Sequence, residues 1–99
     1  MKIYIITEIH STKDYNPIST PYNWYYTDKN NAIKEMNAIY DRIKRGRNWA
    51  PVHPEREYIY KSCRFDENQN PVSIYVERLD NNELSRYIAY HLTERNTED

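Results

Sequence analysis

The sequence predicts a small α+β domain in which one helix packs on an antiparallel sheet, in the element order β-β-α-β-β-α. Apolar and polar residues alternate over 3–10, 57–65 and 72–77, which predicts strands, and apolar residues at helical spacing over 28–45 predict a helix. A chain of 99 residues suits one hydrophobic core, because a single core typically serves about 100 to 150 residues. We therefore expect a single domain over residues 1–99.

The first predicted unit is a β-hairpin with a long loop. Residues 3–10 are rich in isoleucine and alternate along the strand. Ser11 to Pro21 contains two prolines and several turn-forming residues, which interrupt ladder hydrogen bonding. Tyr22 to Tyr26 then provides a short aromatic strand that returns along the first.

The first helix is predicted together with both of its ends. Thr27 or Asp28 provides an N-cap side chain, and Lys44 and Arg45 lie where the helix macrodipole is negative. Gly46, the only glycine in the chain, follows at a position where positive φ commonly ends a helix. The helical apolar positions are Ala32, Ile33, Met36, Ile39, Tyr40 and Ile43.

A second hairpin follows a proline-containing loop over 47–56. Its strands, 57–65 and 72–77, are joined by a polar turn over 66–71. On the sheet face beneath the helix we expect Ile3, Ile5, Ile9, Ile59, Val72, Ile74 and Val76. The opposite face then carries Tyr4, Tyr58, Tyr60 and Tyr75. We also expect Ile5, Ile39 and Ile74 to be buried together between helix and sheet.

The tyrosines opposite the core have two interpretations. They could be covered by a C-terminal helix, or simply suit a half-exposed pleated surface. They could instead form a binding face, because tyrosine gives a large contact area at low entropic cost.

The C-terminal segment is predicted to be a second helix, with a strand over 86–93 as the alternative. Its apolar positions recur at i, i+3, i+4, i+7 and i+8, namely Leu84, Tyr87, Ile88, His91 and Leu92. Asp80, Asn81 or Asn82 could cap such a helix, whereas a tight turn at Asn81 and Asn82 would favour the strand. Residues 93–99 are polar and are expected to fray.

Charge and cysteine content limit the classes of protein to consider. The formal net charge of -1 argues against a broadly basic nucleic-acid binder and against a strongly acidic nucleic-acid mimic. The single cysteine, Cys63, has no internal disulfide partner. A single unpaired cysteine favours the cytosol, and because no segment approaches the roughly 20 apolar residues of a membrane span we expect no membrane contact.

No residue pattern points to catalysis, to a metal or to a cofactor. His10, His53 and His91 lack the spacing of metal ligands and are expected to have packing or surface roles. Cys63 carries no nucleophile signature and is expected to be a small buried side chain. One glycine is too few for a phosphate-binding loop. We therefore predict that the protein is not an enzyme.

A basic and aromatic patch lies at the end of the predicted helix. Arg42, Lys44, Arg45 and Arg47 are followed by Trp49. Arginine and aromatic rings together bind phosphates and stack on bases, and the same patch would suit an acidic protein surface. The alternative is a helix C-terminus whose cations are merely solvated.

The first half of the chain resembles a family of small accessory proteins from phages and low-GC bacteria. The resemblance is carried by Met1 to Glu8, which fits a K-[IV]-Y-[IV]-[IV]-T-E strand, and by Trp24 to Ala32, which contains an aromatic-[ST]-x-K-x-x-A helix entry. It covers about the first 45 residues and contains no catalytic position. It implies an accessory protein of the type from which anti-CRISPR and other counter-defence inhibitors are drawn.

The sequence thus predicts a phage or mobile-element protein that inhibits a bacterial defence system by stoichiometric binding, with a Cas effector complex as the favoured target. Two alternatives stay open: a sponge that sequesters a nucleotide second messenger, and a structural or dimerisation module that forms a homodimer. The predicted partner-binding residues are Arg42, Lys44, Arg45, Arg47, Trp49, Tyr58, Tyr60 and Tyr75.

Overall fold

The structure, a computed structural model, describes residues 1–12, 16–18, 20–44, 56–80 and 84–97. These ranges contain the elements β1 (Lys2–Ser11), β2 (Tyr22–Tyr26), α1 (Lys29–Lys44), β3 (Arg56–Phe65), β4 (Pro71–Asp80) and β5 (Leu84–Asn96). Within the described ranges α1 is the sole helix, and at 16 residues it is neither long nor apolar enough to span a bilayer.

All five strands form one antiparallel sheet in the order β2-β1-β5-β4-β3. α1 follows the edge strand β2 and precedes the opposite edge strand β3, so it crosses one face of the sheet from edge to edge. The small α+β domain, the two hairpins and the first helix are therefore confirmed. The sixth element is not the one that was predicted.

The C-terminal segment is a strand, so the prediction of a second helix is wrong. β5 occupies the middle of the sheet, where it pairs with β1 on one side and with β4 on the other. The helical spacing was ambiguous because Leu84, Ile88 and Leu92 are four residues apart, which also places them at alternate positions of a strand. Two ladders of backbone hydrogen bonds decide in favour of the strand.

β5 also extends further than the sequence predicted. Residues 93–96 pair with residues 2–5 of β1. Beyond them, the Thr97 amide donates to the Met1 carbonyl at 2.8 Å, and Thr97 Oγ1 donates to the same oxygen at 3.0 Å. The expectation of a frayed tail over 93–99 is therefore wrong as far as Thr97, and residues 98–99 lie outside the described part of the chain.

Asp28 caps α1, as the sequence predicted. Its Oδ1 accepts a hydrogen bond from the Asn30 amide at 2.9 Å, and its carbonyl accepts one from the Ala32 amide at 3.3 Å. The side-chain bond satisfies one of the amides that a helix N-terminus leaves without an intrahelical acceptor. At the other end, the predicted terminators Arg45 and Gly46 lie outside the described residues.

The core lies between α1 and one face of the sheet. Its fully buried side chains are Ile6, Met36, Ile39, Ile43, Ile74, Val76, Ile88 and Tyr90. Half-buried aromatic residues, Trp24, Tyr26, Tyr40 and Tyr60, pack around this centre. Because a tyrosine ring buries apolar carbon while its hydroxyl can reach water, these rings enlarge the core at its border.

The expected assignment of residues to the two sheet faces is correct for β4 and wrong for β1. In β4, Ile74 faces α1 as expected. In β1, Ile6 faces α1, which places Ile3, Ile5 and Ile9 on the opposite side by alternation. The alternation alone could not show which face of β1 packs against α1, because both faces carry isoleucine.

The faces expected for β3 are wrong for Ile59 and Tyr60, which precede a β-bulge. The register with β4 shifts between Tyr60 and Ser62, which leaves Lys61 as the extra residue. The shift allows Tyr60 and Cys63 to pack on the same side, against the core. Before the bulge, Ile59 lies on the side opposite α1.

The predicted tyrosine face therefore does not exist as one surface. Tyr4 lies beside residues of α1, and Tyr60 packs against the core, so both face the helix. Tyr75 stands between the core residues Ile74 and Val76 in β4, so the alternation of the strand places it on the opposite side. The side chain of Tyr58 lies outside the described part of the structure.

We expect the face beneath α1 to be the more sensitive one to truncation. Ile74→Ala removes a side chain with 0% exposure and should lower the free energy of unfolding by about 2 to 5 kcal/mol. Ile39→Ala, on α1, should have a similar effect. Ile9→Ala deletes the same atoms from the half-buried opposite face and should cost less. Urea denaturation followed by tryptophan fluorescence measures all three, and equal losses would contradict the face assignment.

Candidate binding face

The sheet face opposite α1 has no covering element among the described residues, and we call it the open face. Odd-numbered residues of β1, β2, β4 and β5 point to it, and so do Ser62 and Arg64 of β3 after the bulge. Side chains of neighbouring strands pack closely there, since Ala89 is only 5% and Ile5 only 9% exposed. The open face is thus an ordered surface.

Five polar residues cross the open face from edge to edge, and we call them the polar row. In strand order they are Asn23, Thr7, His91, Ser73 and Arg64, each the cross-strand neighbour of the next. Thr7 Oγ1 donates to Asn23 Oδ1 at 2.8 Å, and Ser73 Oγ lies 2.9 Å from His91 Nδ1. With strands about 4.8 Å apart, the row is roughly 19 Å long.

The residues that flank the polar row on the open face are less polar than the row itself. Within β1, Thr7 is flanked on the same face by Ile5 and Ile9. One step along the sheet, Ala89 and Tyr75 are cross-strand neighbours. Hydrogen-bonding groups are therefore concentrated along one line of the open face, and less polar side chains held by the strand pairing flank this line.

The open face carries more positive than negative charge. Among its described side chains Glu77 is the one carboxylate, and Lys61 Nζ lies 2.9 Å from its Oε2. Arg64 and Arg95 are both exposed on the same face. A partner that fits this surface should present negative charge or hydrogen-bond acceptors.

His91 lies at the centre of the polar row and is held towards its neutral form. Burial lowers the pKa of His91, and the positive charge of Arg64 lowers it further. A neutral imidazole can still accept or donate through the nitrogen that faces Ser73, depending on its tautomer. At neutral pH the row therefore contributes hydrogen bonds at its centre and cationic charge at its Arg64 end.

Of the predicted partner-binding residues, the structure brings Lys44 and Tyr60 together. Lys44 Nζ lies 4.1 Å from the centroid of the Tyr60 ring, a cation–π contact on the α1 side of the sheet. Tyr40 joins this group, with its ring centroid 6.1 Å from that of Tyr60. Arg42 is exposed on α1, and Tyr75 lies on the other face of the sheet. The remaining predicted residues, Arg45, Arg47, Trp49 and the Tyr58 side chain, lie outside the described part of the structure.

The polar row was not identified from the sequence. Its members come from five strands, and only the strand register makes them neighbours. One local signal was present: Thr7 interrupts the isoleucine series of β1 at a position where a purely apolar face would carry another aliphatic residue.

Two cavities of about 210 Å³ each lie on the α1 side, and both are lined by mixed charges. The first is bordered by Lys29, Asp66 and Glu94. The second is bordered by Arg42 together with Glu8 and Glu35. Carboxylates therefore outnumber cations in both, which disfavours phosphate-bearing ligands.

Glu8, at the second cavity, remains charged although it is partly buried. Burial opposes its ionisation, but hydrogen bonds from His10 and Tyr90 and the positive charge of Arg78 prevail, so the pKa of Glu8 is lowered. His10 Nε2 lies 3.5 Å from Glu8 Oε2. Both residues belong to β1, where they lie on the same side of the strand.

Cys63 lies half-buried at the edge of the core. Burial raises the pKa of its thiol, and Lys44 opposes this only in part. A thiol with a raised pKa is a weak nucleophile. Among the described residues no three His, Cys, Asp or Glu side chains are grouped as a metal site would require.

We expect the stability of the protein to fall as the pH drops below the ordinary pKa of histidine. The unfolded imidazole titrates near about 6.5 and the folded one at a lower pH, so stability that is complete above about 6.5 is lost as the pH falls towards the folded pKa. His91→Gln should reduce this loss, measured as urea midpoints at about pH 7.5 and 5.5. His10 and Glu8 are retained in the variant, so the difference reports on His91. An identical pH slope in both proteins would contradict the assignment.

Comparisons with known proteins add no relative. Protein-family models, curated proteins and solved structures were each searched, and none matches this chain.

Proposed function

We propose that this protein is a non-enzymatic inhibitor that acts by stoichiometric binding through its open face. The observation that carries the proposal is the polar row, which crosses all five strands on the side that α1 leaves uncovered. A regular sheet holds such a row in place, so little conformational entropy is lost when a partner binds.

The composition of the open face supports a protein partner. Tyr75 and Tyr87 contact each other with ring centroids 6.5 Å apart, and the serine, asparagine, threonine and arginine of the polar row share the same face. Tyrosine and arginine are enriched at protein interfaces, while short polar side chains supply adaptable hydrogen bonds. The positive charge favours an acidic region of the partner and disfavours the basic groove in which a nucleic acid would bind.

The Ser73–His91 pair invites comparison with a nucleophile and its base, but its surroundings favour binding. A catalytic histidine needs a third group that orients it and stabilises its protonated form. On the described open face the single carboxylate, Glu77, lies beside Lys61. Burial and the positive charge of Arg64 both lower the pKa of His91, so it is a weak base.

The target we propose is a bacterial defence protein, with a Cas effector complex as the first candidate. This choice depends on the resemblance of the first half of the chain to small phage accessory proteins. The alternative of a nucleotide sponge receives no support from the two cavities, because carboxylates outnumber cations in each.

The inhibitor proposal predicts rescue of phage growth in a defence-specific way. The chain would be expressed in a panel of strains that carry one CRISPR or other defence system each, and plaquing of a targeted phage measured with and without it. We expect plaquing to rise in one strain and to stay unchanged in the matching strain that lacks the system. With the purified effector, inhibition should be complete near one equivalent. Absence of rescue across the panel, or inhibition far below one equivalent, would reject the proposal.

Charge reversal separates the open face from the basic patch. Arg64→Glu should weaken binding by about tenfold or more, roughly 1.4 kcal/mol, because it reverses a charge on the proposed contact surface. Lys34→Glu makes the same change of charge sign at an exposed residue of α1, away from the open face, and should leave binding nearly unchanged. The double variant Arg45→Glu, Arg47→Glu tests the patch predicted from the sequence. If only the double variant loses binding, the contact is the patch and the open face is excluded.

A further inference from the structure

The two edges of the sheet differ in how well they resist pairing with another strand. β3 has a register shift at Lys61 and carries a further cation at Arg64, and both features discourage additional strand pairing. β2 (Tyr22–Tyr26) has no charged residue, no proline and an unbroken register with β1. Its short length is the one protective feature that it has.

Exposed apolar surface is concentrated along the β2 edge. Tyr22 is 60% and Tyr25 64% exposed, and Ile18, which precedes them, is 42% exposed. The Ile18 amide donates to the His10 carbonyl at 2.9 Å, so this residue continues the same edge beside β1. Large apolar side chains along an open edge indicate a contact surface.

We propose that β2 pairs with β2 of a second copy of this chain, in antiparallel orientation about a two-fold axis at Trp24. Alternate backbone amides and carbonyls of β2 point away from β1 and can form the new ladder. The resulting dimer continues the sheet across both copies. The proposal stands apart from the identity of any inhibited target.

The sequence of β2 is complementary to itself in this arrangement. The two-fold axis sets Tyr22 opposite Tyr26 of the partner subunit, and Asn23 opposite Tyr25 of the partner subunit. Neutral aromatic pairs across strands are stabilising, and no like charges meet. The same operation at the middle of β3 would bring Lys61 near its own copy, which is unfavourable.

The dimer would place two open faces on the same side. A two-fold axis perpendicular to the sheet keeps equivalent faces together, so the two polar rows would lie side by side. A target with two acidic regions could then be bound at both, with a gain in avidity.

Sedimentation equilibrium of the full chain tests the proposal over a range of concentrations. An edge this short buries little area, so we expect a monomer–dimer equilibrium with a dissociation constant in the micromolar range. Tyr25→Lys places a charge on the edge and should raise that constant by about tenfold or more. Ser62→Lys is the matched change on the β3 edge and should leave it unchanged. A mass of one chain at every concentration would overturn the proposal.

Disulfide trapping tests the register itself. In a Cys63→Ser background, Asn23→Cys and Tyr25→Cys would be made as separate proteins. When they are mixed, the two thiols lie on directly opposed residues about 5 Å apart at Cα, within disulfide range. In each protein alone, the engineered cysteine and its own copy in the second chain are about 8 Å apart at Cα, which is too far for a disulfide. Covalent dimer should therefore form in the mixture, and equal cross-linking in the unmixed samples would overturn the assigned pairing.

Discussion

The fold depends on the two ladders of β5. Without this strand the sheet separates into a β1–β2 hairpin and a β3–β4 hairpin, and isolated hairpins are at best marginally stable in water. β5 also supplies Ile88 and Tyr90 to the core and His91 to the polar row. The same segment therefore holds the hydrophobic layer together on one face and completes the hydrogen-bonding row on the other.

A chain with 38% hydrophobic residues forms its core through the position of its apolar side chains rather than through their number. Isoleucine, methionine and valine fill the centre beneath α1, and aromatic rings surround them. Tyr40 illustrates the arrangement, since its ring contacts Tyr60 at 6.1 Å and Phe65 at 5.4 Å between centroids, both edge-on. These rings protect a thin core at its border, and the polar side chains can then be kept on the surface.

Local signals in the sequence were sufficient for some elements and insufficient for others. Asp28 as an N-cap, the α1 stripe and the polar turn before β4 are encoded within a few residues, and each was predicted. β5 was predicted as a helix, with a strand as the alternative, because a four-residue spacing fits one face of a helix and one face of a strand. Its central place in the sheet depends on pairing with β1 near the other end of the sequence. The faces of β1 and of the first part of β3 were reversed for related reasons: β1 is apolar on both sides, and the bulge at Lys61 changes the alternation within β3.

The candidate site was harder still to predict, because its residues become neighbours only through strand register. Thr7 and His91 stand 84 positions apart and are opposed only once β5 has paired with β1. Lys44 and Tyr60, which were predicted, do come together, but on the α1 side of the sheet. Composition favoured a binding protein, whereas the grouping of these polar residues on one surface follows from topology.

The position of β5 in the chain has a consequence for how the protein folds. The strand that joins the two hairpins is the last of the five along the sequence, so its partners are synthesised before it and wait with their inner edges open. The β1–β5 ladder links residues from opposite ends of the sequence, and the search for such distant contacts slows folding relative to a helical bundle of the same size. During that interval the inner edges of β1 and β4 are the sites at which a nascent chain would pair wrongly or recruit a chaperone.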